Sequence, residues 1–207
     1  MQDRLKSICE QAMGEGLKID LEGCHYGETT GSCKVIRRPT SYYYFLAGLI
    51  RSQRMTHVLE IGTNSGGSIM SMYRGLDKED ILNSKLVTVD IERKNQEGFK
   101  EYPNIERITG DSLDERVIKE VQNRFDRPID LIYIDSLHEY SHTKKNIDVY
   151  VRLLDPRYIV LDDIRQCDSM VELWKDITQE FKNNAFDASD VSFRKGAGIG
   201  VIEWRKV

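Results

Sequence analysis

The fold of this chain is decided by the stretch Val58-Leu59-Glu60-Ile61-Gly62-Thr63-Asn64-Ser65-Gly66-Gly67-Ser68. An apolar run ends in an acidic residue and continues into a glycine-rich turn, a pattern typical of a buried strand that leads into a loop. Because glycine lacks a Cβ and accepts positive φ, the backbone of such a loop can approach a ligand closely. The stretch therefore predicts a ligand at the carboxyl end of a buried strand.

The spacing of these glycines argues against a dinucleotide site. A dinucleotide fingerprint has the form G-x-G-x-x-G and seats a pyrophosphate at a helix N-terminus. Here the spacing is E-x-G-x-x-x-G-G, and Glu60 stands two places before Gly62. A carboxylate at that point would repel a diphosphate, whereas it would suit a ligand that carries a cationic centre.

Composition and charge narrow the class of protein. A length of 207 residues with 40% hydrophobic residues suffices for one α/β domain with a full core. A net charge of -4 argues against nucleic acid as the main partner, because phosphate binding favours a basic surface. The apolar stretch at 42–50 is too short to cross a bilayer, and we expect no signal peptide in the charged residues 1–6. We therefore expect no membrane partner and a cytoplasmic location.

The cysteines are scattered along the chain at Cys9, Cys24, Cys33 and Cys167. Because a core of this size needs no disulfide bonds for stability, we expect these cysteines to be reduced thiols in a cytosolic protein. A metal cluster of Cys24, His25 and Cys33 stays open as the alternative. Its spacing fits no common zinc pattern, and a fourth ligand is not evident.

Apolar strands alternate with helical patterns along most of the chain. Strands are predicted at 57–61, 85–90, 105–109, 129–135, 158–162, 189–193 and 198–204. Helices are predicted at 1–16, through 42–50 with Thr40 or Ser41 as cap, after the glycine turn, and near 113–124, 141–154 and 168–182. The alternation predicts an α/β fold with a doubly wound, mostly parallel seven-stranded sheet. The short last connection predicts a closing hairpin with an antiparallel C-terminal strand.

Neither repeats nor linkers divide the chain, so a single domain over 1–207 is expected. Within it, 1–54 would form a helical and irregular cap and 55–207 the core. Residues 22–40 are polar and glycine-bearing, which is typical of irregular structure. The consecutive tyrosines at 42–44 are expected mainly as helix surface and core, with a wall of a substrate pocket as the less favoured alternative.

Acidic residues stand at the carboxyl ends of the first five predicted strands, where ligands bind in an open parallel sheet. They are Glu60, Asp90, Asp111 within Gly110-Asp111-Ser112, Asp135, and the pair Asp162 and Asp163. Singly, each carboxylate is explained as well by a helix cap or a solvated loop. Together they predict a strongly acidic crevice, which suits a ribose-bearing ligand with a positive centre or a divalent cation.

The last three of these carboxylates form a candidate metal site. Asp135, Asp162 and Asp163 come from neighbouring strand ends, and three carboxylates with no cysteine nearby suit a hard cation such as Mg²⁺. The alternative is that Asp163 caps the next helix while Asp162 faces water. His138 stands at the crevice mouth as a candidate general base, with a structural role as its alternative. His142 follows at zinc spacing, but the sequence offers no third nitrogen ligand.

These residues resemble the motifs of class I S-adenosylmethionine-dependent methyltransferases: Leu59-Glu60-Ile61-Gly62 with Gly66-Gly67-Ser68, then Val89-Asp90, then Gly110-Asp111-Ser112. The segments 131–140 and 158–163 are similar to a subgroup that contains macrolide-sugar O-methyltransferases and cephalosporin-hydroxylase-like proteins. The likeness covers roughly residues 55–165 and the C-terminal hairpin. It implies a Rossmann-like methyltransferase fold in which 55–207 form the S-adenosylmethionine-binding core.

The resemblance also implies a role for each matching position. The methionine part of S-adenosylmethionine is expected to contact Glu60, Gly62, Thr63, Asn64, Ser65, Gly66 and Ser68. The ribose is expected to contact Asp90 and Ile91, and the adenine Asp111 and Ser112. The residues expected to hold a divalent metal, with Mg²⁺ indicated by the oxygen donors, are Asp135, Asp162 and Asp163. His138 or Asp135 would act as the general base.

The predicted reaction is divalent-metal-assisted O-methylation of a small hydroxylated acceptor, such as a sugar or a vicinal diol. A neutral alcohol is a poor nucleophile at pH 7, and coordination to a metal lowers the pKa of a bound hydroxyl and positions it. Two alternatives stay open: an NAD(P)-dependent oxidoreductase on a related sheet, and a non-catalytic domain that binds a nucleotide or a metal. A homo-oligomer also stays open.

Overall fold

The computed structural model describes residues 2–24, 39–94 and 96–204. Its helices are α1 (Gln2–Gly16), α2 (Ser41–Gln53), α3 (Gly67–Gly75), α4 (Glu115–Gln122), α5 (Tyr140–Leu154) and α6 (Asp168–Phe181). Its strands are β1 (His57–Ile61), β2 (Lys85–Asp90), β3 (Ile105–Thr109), β4 (Leu131–Ile134), β5 (Tyr158–Asp162), β6 (Ala185–Asp187) and β7 (Ile199–Glu203). The metal cluster considered at Cys24, His25 and Cys33 lies largely outside the described residues.

All seven strands form one sheet in the order β3-β2-β1-β4-β5-β7-β6. The first five strands pair in parallel, and β7 runs antiparallel to both of its neighbours, β5 and β6. The doubly wound, mostly parallel sheet with an antiparallel C-terminal strand is therefore confirmed. The winding reverses between β1 and β4, and a crevice opens beyond the carboxyl ends of strands at such a reversal.

One strand was predicted in the wrong place. Residues 189–193 form turns, and the sixth strand is β6, which pairs with β7 through Phe186 and Val201. Val191 and Phe193 favour a strand by residue type, but Phe193 has a φ of 57°, which a strand cannot accommodate. The strand ends instead at Asp187, whose Oδ1 accepts a hydrogen bond of 3.0 Å from the Ser189 amide.

The two faces of the sheet carry separate core layers. Val58 and Tyr133 pack on one face with apolar side chains of α1, α2 and α3. Leu59 and Ile132 point to the other face and pack with α4, α5 and α6. This alternation follows from the two-residue period of a strand, and burial on both faces explains the continuous apolar runs.

The helix through 42–50 begins where its sequence predicted, although the cap is made differently. Thr40 occupies the N-cap position with extended backbone, but its Oγ1 finds no hydrogen-bond partner among the described residues. The helix packs between α1 and α3 and brings its first turn to the carboxyl edge of the sheet. Within the described part of the chain, no helix has the length and apolar character needed to cross a membrane.

Candidate active site

The glycine turn follows β1 in a conformation that its sequence explains. Gly62 has a φ of 98°, and its amide donates to the Val89 carbonyl at 2.9 Å. A Cβ at this position would overlap the main-chain carbonyl of Asp135. Further on, the Asn64 amide donates to Asp90 Oδ2 at 2.7 Å, which ties the turn to the end of β2. Glycine at 62 is therefore required both by conformation and by space.

Glu60 lies behind this turn and braces it. Its side chain is fully buried and accepts hydrogen bonds from the hydroxyl groups of Ser68 and Thr88. The Thr88 hydroxyl is also 2.5 Å from that of Thr63. Burial raises the pKa of Glu60 to about 8, although both hydroxyl donors oppose the rise. The carboxylate is directed to these hydroxyls and lines neither of the two cavities described below, so a direct contact of Glu60 with a donor stays a prediction.

A cavity of about 450 Å³ opens beyond β1, β2, β3 and β4, and we call it the strand-end cavity. Of the predicted donor-binding residues, its walls contain Gly62, Asn64, Asp90, Ile91, Asp111 and Ser112. Ile61, Val89 and Leu137 add apolar walls against which a flat heterocycle can pack. A cavity of this size and mixed lining is typical of a cofactor site.

A second cavity of about 260 Å³ lies beside the first, and we call it the tyrosine cavity. Its walls contain Tyr42, Tyr43, Thr63, Ser65, Ser68, His138, Asp163 and Gln166. The two cavities share Gly62, Asn64, Asp135 and Ser136. The predicted donor-binding residues are thus divided: Thr63, Ser65 and Ser68 face the tyrosine cavity alone. Their roles in binding stay predictions.

Three ionisable side chains converge in the tyrosine cavity. His138 Nε2 lies 3.4 Å from Asp135 Oδ1 and 3.1 Å from Asp163 Oδ2. The hydrogen bond to Asp135 raises the pKa of His138, burial lowers it, and the charge of Asp163 adds to the rise. With one ligand atom from each residue, the three donor atoms lie within 4.8 Å of one another. Two carboxylate oxygens and an imidazole nitrogen fit a divalent cation, so a metal can be held here.

Asp162, which the sequence predicts as a metal ligand, does not join this cluster. Its Oδ1 accepts from Arg194 Nε at 3.1 Å and from the Asp163 amide at 2.9 Å. Its Oδ2 accepts from Arg194 Nη2 at 2.9 Å and from the Tyr133 hydroxyl at 3.2 Å. A carboxylate has about four lone-pair sites; three are occupied by N–H donors, and the fourth faces the Tyr133 hydroxyl, whose single proton is shared with Asp135 Oδ2 at 3.3 Å. The described residues that could share an ion are therefore Asp135, His138 and Asp163, and a metal-binding role for Asp162 stays a prediction.

Arg194 is the main residue that the sequence did not reveal. Its guanidinium group donates to Asp162 and, through Nη2, to Asp163 Oδ1 at 2.9 Å, and it lies 4.1 Å from the ring centroid of Tyr42. Burial opposes the charge of Arg194, but Asp162, Tyr42 and Asp163 outweigh burial and raise its pKa. A signal was available in the topology: β7 runs antiparallel to β5, and Asp162 pairs with Ile199. The residues just before β7 must therefore lie beside the acidic end of β5.

Two further expectations concern aromatic and histidine side chains. Tyr42 and Tyr43 are buried in the core, as expected, and they also line the tyrosine cavity; their role as walls of a substrate pocket stays a prediction. Tyr44 is half-buried and packs against the core. His142 lines the strand-end cavity, whereas His138 lines the tyrosine cavity, and His142 Nδ1 lies 3.2 Å from Asn146 Nδ2.

A family model described as a methyltransferase domain matches residues 59–164. The match runs from the end of β1 to just beyond the end of β5, and it contains the whole glycine turn and the cluster of Asp135, His138 and Asp163. No curated protein sequence matches the chain.

Solved structures with the same architecture include enzymes with bound cofactor. The O-methyltransferase TomG from Streptomyces achromogenes, in complex with SAM, is 18% identical over 78% of each chain, with a TM-score of 0.60. An O-methyltransferase from Bacillus cereus, in complex with SAH, is 18% identical over 94% of this chain and 90% of its own, with a TM-score of 0.62. These similarities show the fold.

A third structure also contains a metal. MycE methyltransferase from the mycinamycin biosynthetic pathway, in complex with Mg, SAH and mycinamycin VI, is 17% identical with a TM-score of 0.53. The match covers 76% of this chain and 46% of the MycE chain, so this chain corresponds to about half of MycE.

Proposed function

The chain belongs to the family of methyltransferase domains whose model matches residues 59–164, and from that premise we propose that it transfers a methyl group from S-adenosylmethionine to a hydroxyl group of a small molecule, with the help of a divalent cation. One observation carries the proposal: the strand-end cavity and the tyrosine cavity meet at Asp135, whose carboxylate is hydrogen-bonded to His138. A donor on one side of Asp135 would face an acceptor on the other.

The strand-end cavity supports a donor that combines a nucleoside with a positive centre. Asp90 and Asp111 supply acceptors for hydroxyl and amino groups, while Ile91 and Leu137 supply exposed apolar surface at the rim. The acidic strand ends favour a cationic sulfonium over a diphosphate, because the carboxylates attract a positive charge and repel a negative one. This is why S-adenosylmethionine is proposed in preference to NAD.

The tyrosine cavity supports a small, hydroxylated acceptor that carries no negative charge. Ser65, Gln166 and the two tyrosines offer hydrogen-bonding groups, and the carboxylates of Asp135 and Asp163 would repel an anion. A monosaccharide or a vicinal diol satisfies these conditions. Nucleic acid and membrane lipid do not, so the proposed partner is a small molecule alone.

The residues around Asp135, where the two cavities meet, would activate the acceptor hydroxyl. Asp135 and Asp163 would hold a divalent cation such as Mg²⁺, which commonly takes one or two carboxylates and completes its shell with water and substrate oxygens. When bound, such an ion lowers the pKa of a coordinated hydroxyl group. Neutral His138 with its proton on Nδ1 would accept the proton of the acceptor hydroxyl at Nε2, and the two neighbouring carboxylates would stabilise the resulting imidazolium. If His138 instead binds the ion, Asp135 is the base.

Binding and turnover experiments test the proposal separately. Isothermal titration of the purified protein should show binding of S-adenosylmethionine and of S-adenosylhomocysteine but not of NAD. Formation of S-adenosylhomocysteine should then be measured against a panel of small sugars and diols, with Mg²⁺ or with a chelator. Binding of NAD in place of S-adenosylmethionine would contradict the proposal, and turnover that a chelator leaves unchanged would remove the metal from it.

A further inference from the structure

We propose that Arg194 is a built-in counter-cation that competes with a divalent metal for the carboxylates of Asp162 and Asp163, and thereby sets the metal affinity of the site. The inference rests on the proposed function, since it concerns the ion that would assist the reaction. The quantity that Arg194 would set is the affinity of the protein for the ion alone, in the absence of donor and acceptor.

The contacts of Arg194 explain how it excludes one ligand. Its Nε and Nη2 atoms form a fork that grips both oxygens of Asp162, at 3.1 and 2.9 Å. Such bidentate pairs are the stronger kind of charged hydrogen bond. The Asp163 amide occupies a third lone pair of Asp162, and the Tyr133 hydroxyl, shared with Asp135, lies against the fourth. A metal could bind Asp162 only after Arg194 had withdrawn.

The same guanidinium group weakens a second ligand. Arg194 Nη2 also donates to Asp163 Oδ1 at 2.9 Å, so only Oδ2 of Asp163 faces His138 and the cavity. Burial raises the pKa of Asp162 to about 8, although the charge of Arg194 opposes the rise. When all three are ionised, Asp135, Asp162 and Asp163 would present three negative charges, of which Arg194 cancels one. A cation approaching the site is therefore attracted less strongly than three bare carboxylates would attract it.

Arg194 is held in this position from several sides, unlike a surface arginine. Its amide donates to the Ser189 carbonyl at 2.9 Å, and its carbonyl accepts from the Gly198 amide at 2.7 Å. The guanidinium group stacks on Tyr42, and the side chain is 17% exposed. A group fixed at both the backbone and the head competes with a metal at small entropic cost.

The test is a titration with Mn²⁺ alone, in which the electron paramagnetic resonance signal of free Mn²⁺ reports binding. Arg194→Met keeps the length of the side chain and its packing on Tyr42 but removes the charge and the fork. We expect this variant to bind Mn²⁺ at least about tenfold more tightly than the wild type, because Asp162 becomes available and one positive charge is lost. Unchanged or weaker binding by a folded Arg194→Met would overturn the proposal.

A double variant separates the freed ligand from general electrostatics. Arg194→Met with Asp162→Asn returns the local charge to that of the wild type and removes the carboxylate that the single change frees. We expect its Mn²⁺ affinity to fall back to within about threefold of the wild type. If the double variant keeps the gain, Arg194 does not act through Asp162 and the proposal fails.

A third variant covers the case in which Arg194→Met does not fold, as its circular dichroism would reveal. Arg194→Lys keeps the charge but cannot form the planar fork. It should therefore bind Mn²⁺ more tightly than the wild type, and unchanged or weaker binding by Arg194→Lys would overturn the proposal in that case. Absence of Mn²⁺ binding in the wild type, in Arg194→Met and in Arg194→Lys would also overturn the inference. Methyl transfer that needs no metal would leave the proposed methylation unaffected.

Discussion

Gly62 lies directly against the main-chain carbonyl of Asp135, with no space between them for a side chain. The two residues follow β1 and β4, which are neighbours at the point where the sheet reverses its winding. The Asp135 amide in turn donates to the Ile61 carbonyl at 2.8 Å. This contact fixes the position of the glycine turn relative to the carboxylate at which the two cavities meet.

The first prediction concerns Gly62→Ala. A methyl group at this position would collide with the Asp135 carbonyl, and alanine disfavours the φ of 98°. We expect a loss of stability of about 1–3 kcal/mol or more and a loss of measurable S-adenosylmethionine binding. Urea denaturation and isothermal titration measure the two effects. Gly14→Ala in α1 is the control, because a Cβ there meets no atom and should stabilise the helix slightly.

The second prediction concerns pH and Glu60. Because burial raises its pKa to about 8, the folded protein retains a proton that the unfolded chain loses near pH 4.5. The stability contributed by that proton is complete below pH 4.5 and is lost as the pH rises through 8. Glu60→Gln mimics the protonated form, so its stability relative to the wild type should increase between pH 5 and pH 9, by roughly 3 kcal/mol. Urea denaturation at both values measures this, and a difference independent of pH would show that Glu60 is ionised throughout.

The third prediction concerns the proposed base. His138→Gln removes the nitrogen that accepts the proton, so kcat should fall by about 10²- to 10⁴-fold while the affinity for S-adenosylmethionine changes little. His142→Gln makes a matched comparison, since His142 lines the strand-end cavity and not the tyrosine cavity. It should weaken donor binding and leave kcat at saturating donor nearly unchanged. Equal losses of kcat in both variants would argue against a specific role for His138.

Local patterns in the sequence were sufficient to predict most of the fold. Apolar periodicity and the placement of glycines within about ten residues predict each strand that precedes an acidic turn. They also predict the helix after the glycine turn. The sixth strand could not be predicted in this way. Residues 190–193 have the better strand composition, but pairing with β7 through Phe186 selects 185–187, and that choice depends on tertiary contacts.

The candidate site was predictable only in part for a similar reason. The topology of a parallel sheet explains why Asp135 and Asp163 come together, since both follow neighbouring strands. Which carboxylate stays free to bind an ion depends on how many donors already surround it. A sequence shows the acidic residues but not the hydrogen bonds that surround the carboxylate of Asp162. Arg194, which donates two of them, lies 32 residues further along the chain.

The last prediction concerns the cost of breaking the ion pair between Asp162 and Arg194. Asp162→Asn leaves the partly buried guanidinium group without its main counter-charge in a site where Asp162 itself is fully buried. We expect a loss of about 3 kcal/mol in the free energy of unfolding, measured by urea denaturation at pH 7. Lys144→Met breaks the pair between Lys144 and Asp148 on the surface of α5, where both side chains are substantially exposed. That control should cost less than about 0.5 kcal/mol, because water and salt screen an exposed pair. If the two substitutions cost the same, Arg194 is not held by Asp162 in solution, and the competition for metal would lose its structural basis.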